Sequence, residues 1–135
     1  YYNPDWIGMY GKERLKKVEK SFSEYFGNAE IMNVYKIDGE LTLNENIADT
    51  AGVYVISTMT DNKEDLKVIY ENYAVLWASL SYDTDIINSL YDDVHSPAEI
   101  RVNKVLSTLD SFYYAYDINK NDEMYVPFEN RPRVW

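Results

Sequence analysis

The chain has 135 residues, enough for one domain with a real core but not for two, and at 46% hydrophobic it is not disordered by composition. A formal net charge of −10 argues against nucleic acid and anionic membrane surfaces as partners. There is no cysteine, which excludes disulfides, thiolate metal sites and a cysteine nucleophile. No run of eighteen or more apolar residues is present to span a membrane.

In chain order, residues 1–10 read as aromatic-rich and irregular, with Asn3-Pro4-Asp5 as a turn. Helical spacing runs from Gly11 to about Phe26, with Leu15, Val18, Phe22, Tyr25 and Phe26 on one face and Gly27-Asn28 as the stop. Residues 31–43 read as extended, and Asp38-Gly39 suits either a two-residue hairpin turn or a loop feeding the next helix. That helix is expected from about Leu43 to Thr58, burying Leu43, Ile47, Ala51, Tyr54 and Val55. A third runs from about Lys63 to Leu80, with Leu66, Ile69, Tyr70, Tyr73, Trp77 and Leu80 on its apolar side.

Residues 81–94 are turn-rich, with a short helix around Ile86 to Tyr91. Ser96-Pro97-Ala98-Glu99 combines a capping box with proline at the first helical position, predicting a helix to about Leu109. Asp110 can cap a short helix through Phe112, Ala115 and Tyr116, and the tail from Asp117 is polar and irregular. Asp117-Ile-Asn119-Lys-Asn121 has the opening spacing of a calcium loop, but Asp122 and Phe128 stand where such a loop needs glycine and glutamate, so it reads as a polar turn. The whole, residues 1–135, reads as a single, mainly α unit.

Two stretches carry chemistry. Glu45 and Asp49, in Glu-Asn-Ile-Ala-Asp, lie one helical turn apart on a shared face. A carboxylate there can ligate zinc, and a second can orient a ligating histidine. Thr42-x-x-Glu45 is equally a capping box, in which Glu45 would serve only the backbone. His95, the only histidine, precedes a helix that contains Arg101. Imidazole can donate to an oxyanion and guanidinium can hold a peptide carbonyl or carboxylate. A surface histidine and an arginine paired within its own helix fit the spacing too. There is no nucleophile elbow, phosphate-binding glycine loop or two-histidine motif.

The motifs DGELTLNENIADTAG, YAVLWASL, HSPAEIRVN, SFYYAY and a terminal RVW stand in the order and approximate spacing of one family. Together they resemble the neprilysin and endothelin-converting-enzyme family of zinc metalloendopeptidases, including its bacterial oligopeptidases, over nearly the whole chain. The resemblance implies the C-terminal helical part of a thermolysin-like zinc peptidase catalytic domain. It implies that Glu45 is the third protein ligand of a catalytic Zn2+ and that Asp49 orients a zinc-ligating histidine. His95 would stabilise the oxyanion, and Arg101 would hold the substrate backbone. Leu76 and Trp77 would line the pocket for a hydrophobic residue after the scissile bond, and Trp135 would be the family's terminal tryptophan.

The family's HExxH, which supplies two histidine ligands and the general base, is absent here. Together with the missing initial methionine, this predicts a C-terminal piece that lost the motif, is inactive alone, holds no zinc by itself and self-associates through uncovered apolar faces. Thr50-Ala51-Gly52 departs mildly from the family's glycine-rich pattern. Ile118 and Pro132 stand where animal members carry cysteines, so the chain looks bacterial, and absence of cysteine favours a cytoplasmic over a cell-surface location. Expected partners are oligopeptide substrates and the missing N-terminal part of the same chain. The rival expectations are a non-catalytic, peptide-binding relative and a helical interaction domain.

Overall fold

A computed structural model describes residues 8–134, with side chains described from Gly11 onward. Residues 1–7 and Trp135 lie outside the described residues, while residues 8–10, read as irregular, already belong to the first helix. Among the described residues, six α-helices and one small hairpin surround a core built on Phe22, Phe26, Leu66, Tyr70, Val105, Leu106 and Phe112.

Helix α1 (Gly8–Gly27) places Phe22 and Phe26 fully inside, with Val18 and Tyr25 packed beside them. Leu15, expected on the buried face, is exposed, in a stretch of α1 from Lys12 to Lys17 that has no covered side chain. The Tyr25 hydroxyl donates to the Lys104 carbonyl at 3.2 Å and fastens α1 to a helix far along the chain.

After α1, β1 (Glu30–Ile31) pairs antiparallel with β2 (Tyr35–Lys36). Their turn centres on Met32 and Asn33, with φ of 54° and 55°, and the Val34 N–H closes it onto the Ile31 carbonyl at 3.2 Å. The hairpin therefore turns earlier than Asp38-Gly39. Asp38 has the other predicted role: its carboxylate accepts from the N–H groups of Glu40 and Leu41, both at 3.0 Å, and starts the turn into the next helix. Gly39 lies where its backbone meets the end of α1, and a Cβ there would overlap the Ser23 carbonyl.

Helix α2 (Leu43–Ser57) buries Asn46, Thr50, Val53 and Ser57. This row is rotated from the predicted stripe, in which Leu43, Ile47 and Tyr54 are only partly covered and Val55 is exposed. The buried row is small and mostly polar. It stays satisfied because Thr50 and Ser57 donate to carbonyls of their own helix, Asn46 and Tyr54, each at 2.8 Å. Small side chains let α2 sit against α1 and α5, while the larger apolar ones fill the edges.

Helix α3 (Lys63–Trp77) is capped by Asn62, whose side-chain oxygen accepts from the N–H groups of Glu64 and Asp65. It ends before Leu80. Ala78 turns extended after its N–H closes on the Val75 carbonyl, leaving Leu80 fully exposed rather than on the apolar face. Helix α4 (Asp83–Ser89) begins earlier than the predicted turn of helix at Ile86.

Helix α5 (Ala98–Leu106) and helix α6 (Asp110–Tyr116) complete the bundle, with α3 packed against both. The expected capping box at α5 does not form: Pro97 holds the cap position and no side chain caps the end. Asp110 does not cap α6 either. It binds Arg131 Nη1 at 2.8 Å and Arg133 Nη2 at 2.7 Å, clamping the tail. The tail is irregular apart from a short 3₁₀ turn at Phe128–Asn130 but is well anchored, since Arg131 also stacks 3.4 Å above the Tyr113 ring. The calcium-loop look-alike is a turn in which Asp122 accepts from the backbone and side chain of Asn119.

Candidate functional site

Glu45 and Asp49 leave α2 one turn apart, and the chain from Asp93 to Arg101 crosses in front of them. The Thr42 hydroxyl does not cap α2. It donates to the Asp38 carbonyl and accepts from Asn46 Nδ2, each within 2.9 Å, so the capping box that competed for Glu45 is absent. Glu45 Oε2 instead lies 3.4 Å from His95 Nε2.

His95 is held from its other side. Asp93 Oδ1 is 2.8 Å from His95 Nδ1 and accepts the His95 backbone N–H at 2.9 Å. These two bonds, backbone first, hold the Asp93 carboxyl below the usual carboxylate range. An ionised carboxylate accepts only, so Nδ1 is the protonated nitrogen and Nε2 is the one presented to Glu45. A ring protonated at both nitrogens donates to both carboxylates.

Asp49 and Arg101 form a two-pronged pair: Nε to Oδ2 at 2.6 Å and Nη2 to Oδ1 at 2.8 Å, with both side chains nearly buried. Burial works against the Arg101 charge, but the Asp49 hydrogen bonds and charge outweigh it, so its pKa lies above the ordinary value. The guanidinium lies 3.6 Å over the Trp77 ring. Tyr73 donates its hydroxyl to the Arg101 carbonyl at 3.0 Å, and burial, then the Asp49 charge, pushes its phenol pKa up. A carboxylate can accept up to about four hydrogen bonds, so Asp49 retains acceptor capacity beyond this pair.

An open depression of about 740 Å³ is lined by Leu76, Trp77, Ile86, His95, Ser96 and Arg101, among others. Leu76 is largely exposed at its rim, whereas Trp77 is partly covered by Arg101. All six sequence-predicted site residues thus meet at one place, with Asp49 and Arg101 turned toward each other. Sequence reasoning missed Asp93, Tyr73 and the buried Asn46–Ser96 pair. Only Asp93 had a local signal, since an aspartate two residues before a histidine can accept its backbone N–H.

Glu45 offers a hard oxygen donor on a partly exposed side chain, free of any backbone cap. Among the described residues no group of three or more histidine or acidic side chains is arranged to hold a metal. Catalytic zinc takes three protein ligands, so the chemistry here fits one of the three.

Residues 5–131 match the family model described as Peptidase family M13. The chain is 36% identical over 101 residues to the neutral endopeptidase of Lactobacillus helveticus, covering 74% of this chain and 16% of that protein. It is 26% identical to human neprilysin, covering 97% of this chain and 20% of that protein. The crystal structure of PepO from Lactobacillus rhamnosis superposes with a TM-score of 0.86 at 29% identity, over 93% of this chain and 20% of that one. In fold alone, the Mycobacterium tuberculosis zinc metalloprotease Zmp1 in complex with inhibitor is similar, with a TM-score of 0.87 at 23% identity, over 97% of this chain and 23% of that one. The chain therefore spans about a sixth to a quarter of these relatives, and its fold matches the helical C-terminal part of such enzymes. With the family model covering nearly its whole length and the neprilysin-like motifs gathered at one site, the chain belongs to peptidase family M13, a family of zinc metallopeptidases.

Proposed function

We propose that these residues are part of the active site of a zinc metalloendopeptidase that hydrolyses oligopeptides, with a hydrophobic residue preferred after the scissile bond. The observation that carries this reading is the uncapped Glu45 carboxylate facing His95, with Arg101 and Trp77 beside them. Glu45 would hold the zinc as one of its protein ligands. When bound, the metal supplies Lewis-acid polarisation and a water of lowered pKa. His95, held by Asp93 at Nδ1, donates from Nε2, when its ring carries both protons, to the oxyanion that develops on the peptide carbonyl. Arg101 holds the substrate backbone while Asp49 hydrogen-bonds a histidine ligand through its remaining lone pairs. The depression beside Leu76 and Trp77 takes the hydrophobic side chain.

The other two ligands and the general base are not among these 135 residues, so the chain by itself is inactive and holds no catalytic zinc. The test compares zinc content and chelator-sensitive cleavage of a hydrophobic reporter peptide in three samples: the complete natural protein, the complete protein with Glu45→Ala, and this chain alone. Zinc and cleavage in the first sample only are expected. Unchanged zinc and turnover in the Glu45→Ala protein would remove the metal role. A complete protein with neither zinc nor cleavage would leave peptide capture without catalysis as the function.

A further inference from the structure

We infer that the buried hydrogen bond between Ser96 and Asn46 sets the distance between His95 and Glu45, which makes both of its members positioning residues for the reaction proposed above; the inference rests on that reading.

Asn46 follows Glu45 in α2, and Ser96 follows His95 in the loop before α5. Ser96 Oγ donates to Asn46 Oδ1 at 2.8 Å, where Asn46 is 1% and Ser96 3% exposed. The two residues directly preceding this bond are the two whose side chains meet at 3.4 Å. A dry, short bond therefore sits one residue behind a solvent-facing contact between two chemical groups.

The direction of the bond is fixed by its continuation. Thr42 Oγ1 donates its one proton to the Asp38 carbonyl at 2.8 Å, so toward Asn46 it can only accept. Asn46 must then present Nδ2 to Thr42, at 2.9 Å, and Oδ1 to Ser96, which has to donate. The Asn46 carbonyl accepts from Thr50. The chain from Asp38 through Thr42 and Asn46 to Ser96 is complete at every member, and no amide flip satisfies it equally.

The helix ends point the same way, independently of the distances. Thr42 stands at the cap position of α2, where a hydroxyl ordinarily caps the first turn, and Ser96 stands one residue before the cap position of α5. Neither does so, and both α2 and α5 begin without a side-chain cap. Both hydroxyl oxygens bond the Asn46 amide instead, Ser96 donating to its Oδ1 and Thr42 accepting from its Nδ2. A residue needed only for local helix stability would cap. These two are turned away from the helix ends and toward the amide that joins the loop to α2.

The experiment uses the complete natural protein. Ser96→Ala removes one hydroxyl and no backbone group. It is expected to lower kcat about 10- to 100-fold, as loss of an orienting partner does, with KM and zinc content changed less than about twofold. Asn46→Ala should act in the same direction, and the double variant should be no slower than the slower single one, since each breaks the same bond. Ser96→Thr, which keeps the hydroxyl, should recover most of the turnover. Crystals of the Ser96→Ala protein should show His95 moved away from Glu45 with α2 and α5 in place. A folded Ser96→Ala protein with unchanged kcat, even at a lowered Tm, overturns the inference and makes the bond merely structural. If Asn46→Ala does not fold, Ser96→Ala decides. If the complete wild-type protein cleaves nothing, the peptidase reading fails by itself. The positioning claim is then judged on the Ser96→Ala crystal structure, where an unchanged Glu45–His95 separation defeats it.

Discussion

Arg101 and Asp49 hold each other through two short hydrogen bonds in a nearly buried position, so neither can be removed without leaving the other charge unpaired. Asp49→Ala should therefore cost about 3 kcal/mol of folding stability, read as a lowered urea midpoint at unchanged slope. A midpoint within error of the wild type would show that the pair contributes nothing to the fold. Arg101→Lys keeps the charge but loses the fork and the face-on contact with Trp77, and should destabilise in the same direction by less. At this scale the sequence named residues that the fold brings together but not their partners. Spacing put Glu45 and Asp49 on one face, yet it could not say whether Glu45 caps α2 or faces His95. That depended on where the Thr42 hydroxyl points, which the Asp38 carbonyl and Asn46 decide.

Two glycines separate what a helix wants from what its neighbours allow. Gly52 lies in the interior of α2 on an exposed surface, and a Cβ added there would meet nothing within 4 Å. Gly52→Ala should stabilise by about 0.5–1 kcal/mol, the usual difference between the two residues in a helix. Gly39→Ala forces a methyl into the backbone of α1 and should destabilise by roughly 2–3 kcal/mol or abolish folding. Thermal melts of the two variants should thus move in opposite directions, and a stable Gly39→Ala protein would contradict the close approach of Gly39 to α1. The elements themselves were largely legible, because α1 and α3 carry apolar periodicity and clear stops or starts, although in α2 the apolar stripe did not mark the buried row. Their ends were not. Leu80 continues the α3 pattern but has no neighbour to pack against, and a periodic residue with nothing to bury it does not hold a helix together.

For the molecule as a whole, the tyrosines report folding. Burial is the largest cause raising the phenol pKa values of Tyr25, Tyr70 and Tyr73. A pKa raised on folding contributes stability that is fully present below the unfolded value of about 10 and lost as pH rises through the folded one. Alkaline titration followed at 295 nm should therefore show a late phenolate phase that coincides with loss of helical circular dichroism. A single gradual phase with the helices intact would refute this. Apolar side chains are also left on the surface, with Val55, Ile56 and Met59 on and just beyond α2, and Val68, Val75 and Leu76 on α3. We expect this chain alone to self-associate and to bind an apolar dye. The net charge of −10 opposes association, so salt should promote it. Monodisperse monomer in sedimentation at high salt, with no dye bound, would count against it.

The sequence by itself determined the helical class, the family resemblance and the short list of chemical residues, because these follow from periodicity and from motifs contiguous in the chain. Only the tertiary structure decided which hydroxyl caps and which one crosses to another segment, which row of α2 faces inward, and that Asp93 stands behind His95. These are choices between partners of similar local merit. A threonine or serine can bond its own helix or a distant amide with similar energy, so the outcome is set by what the fold brings within about 3 Å.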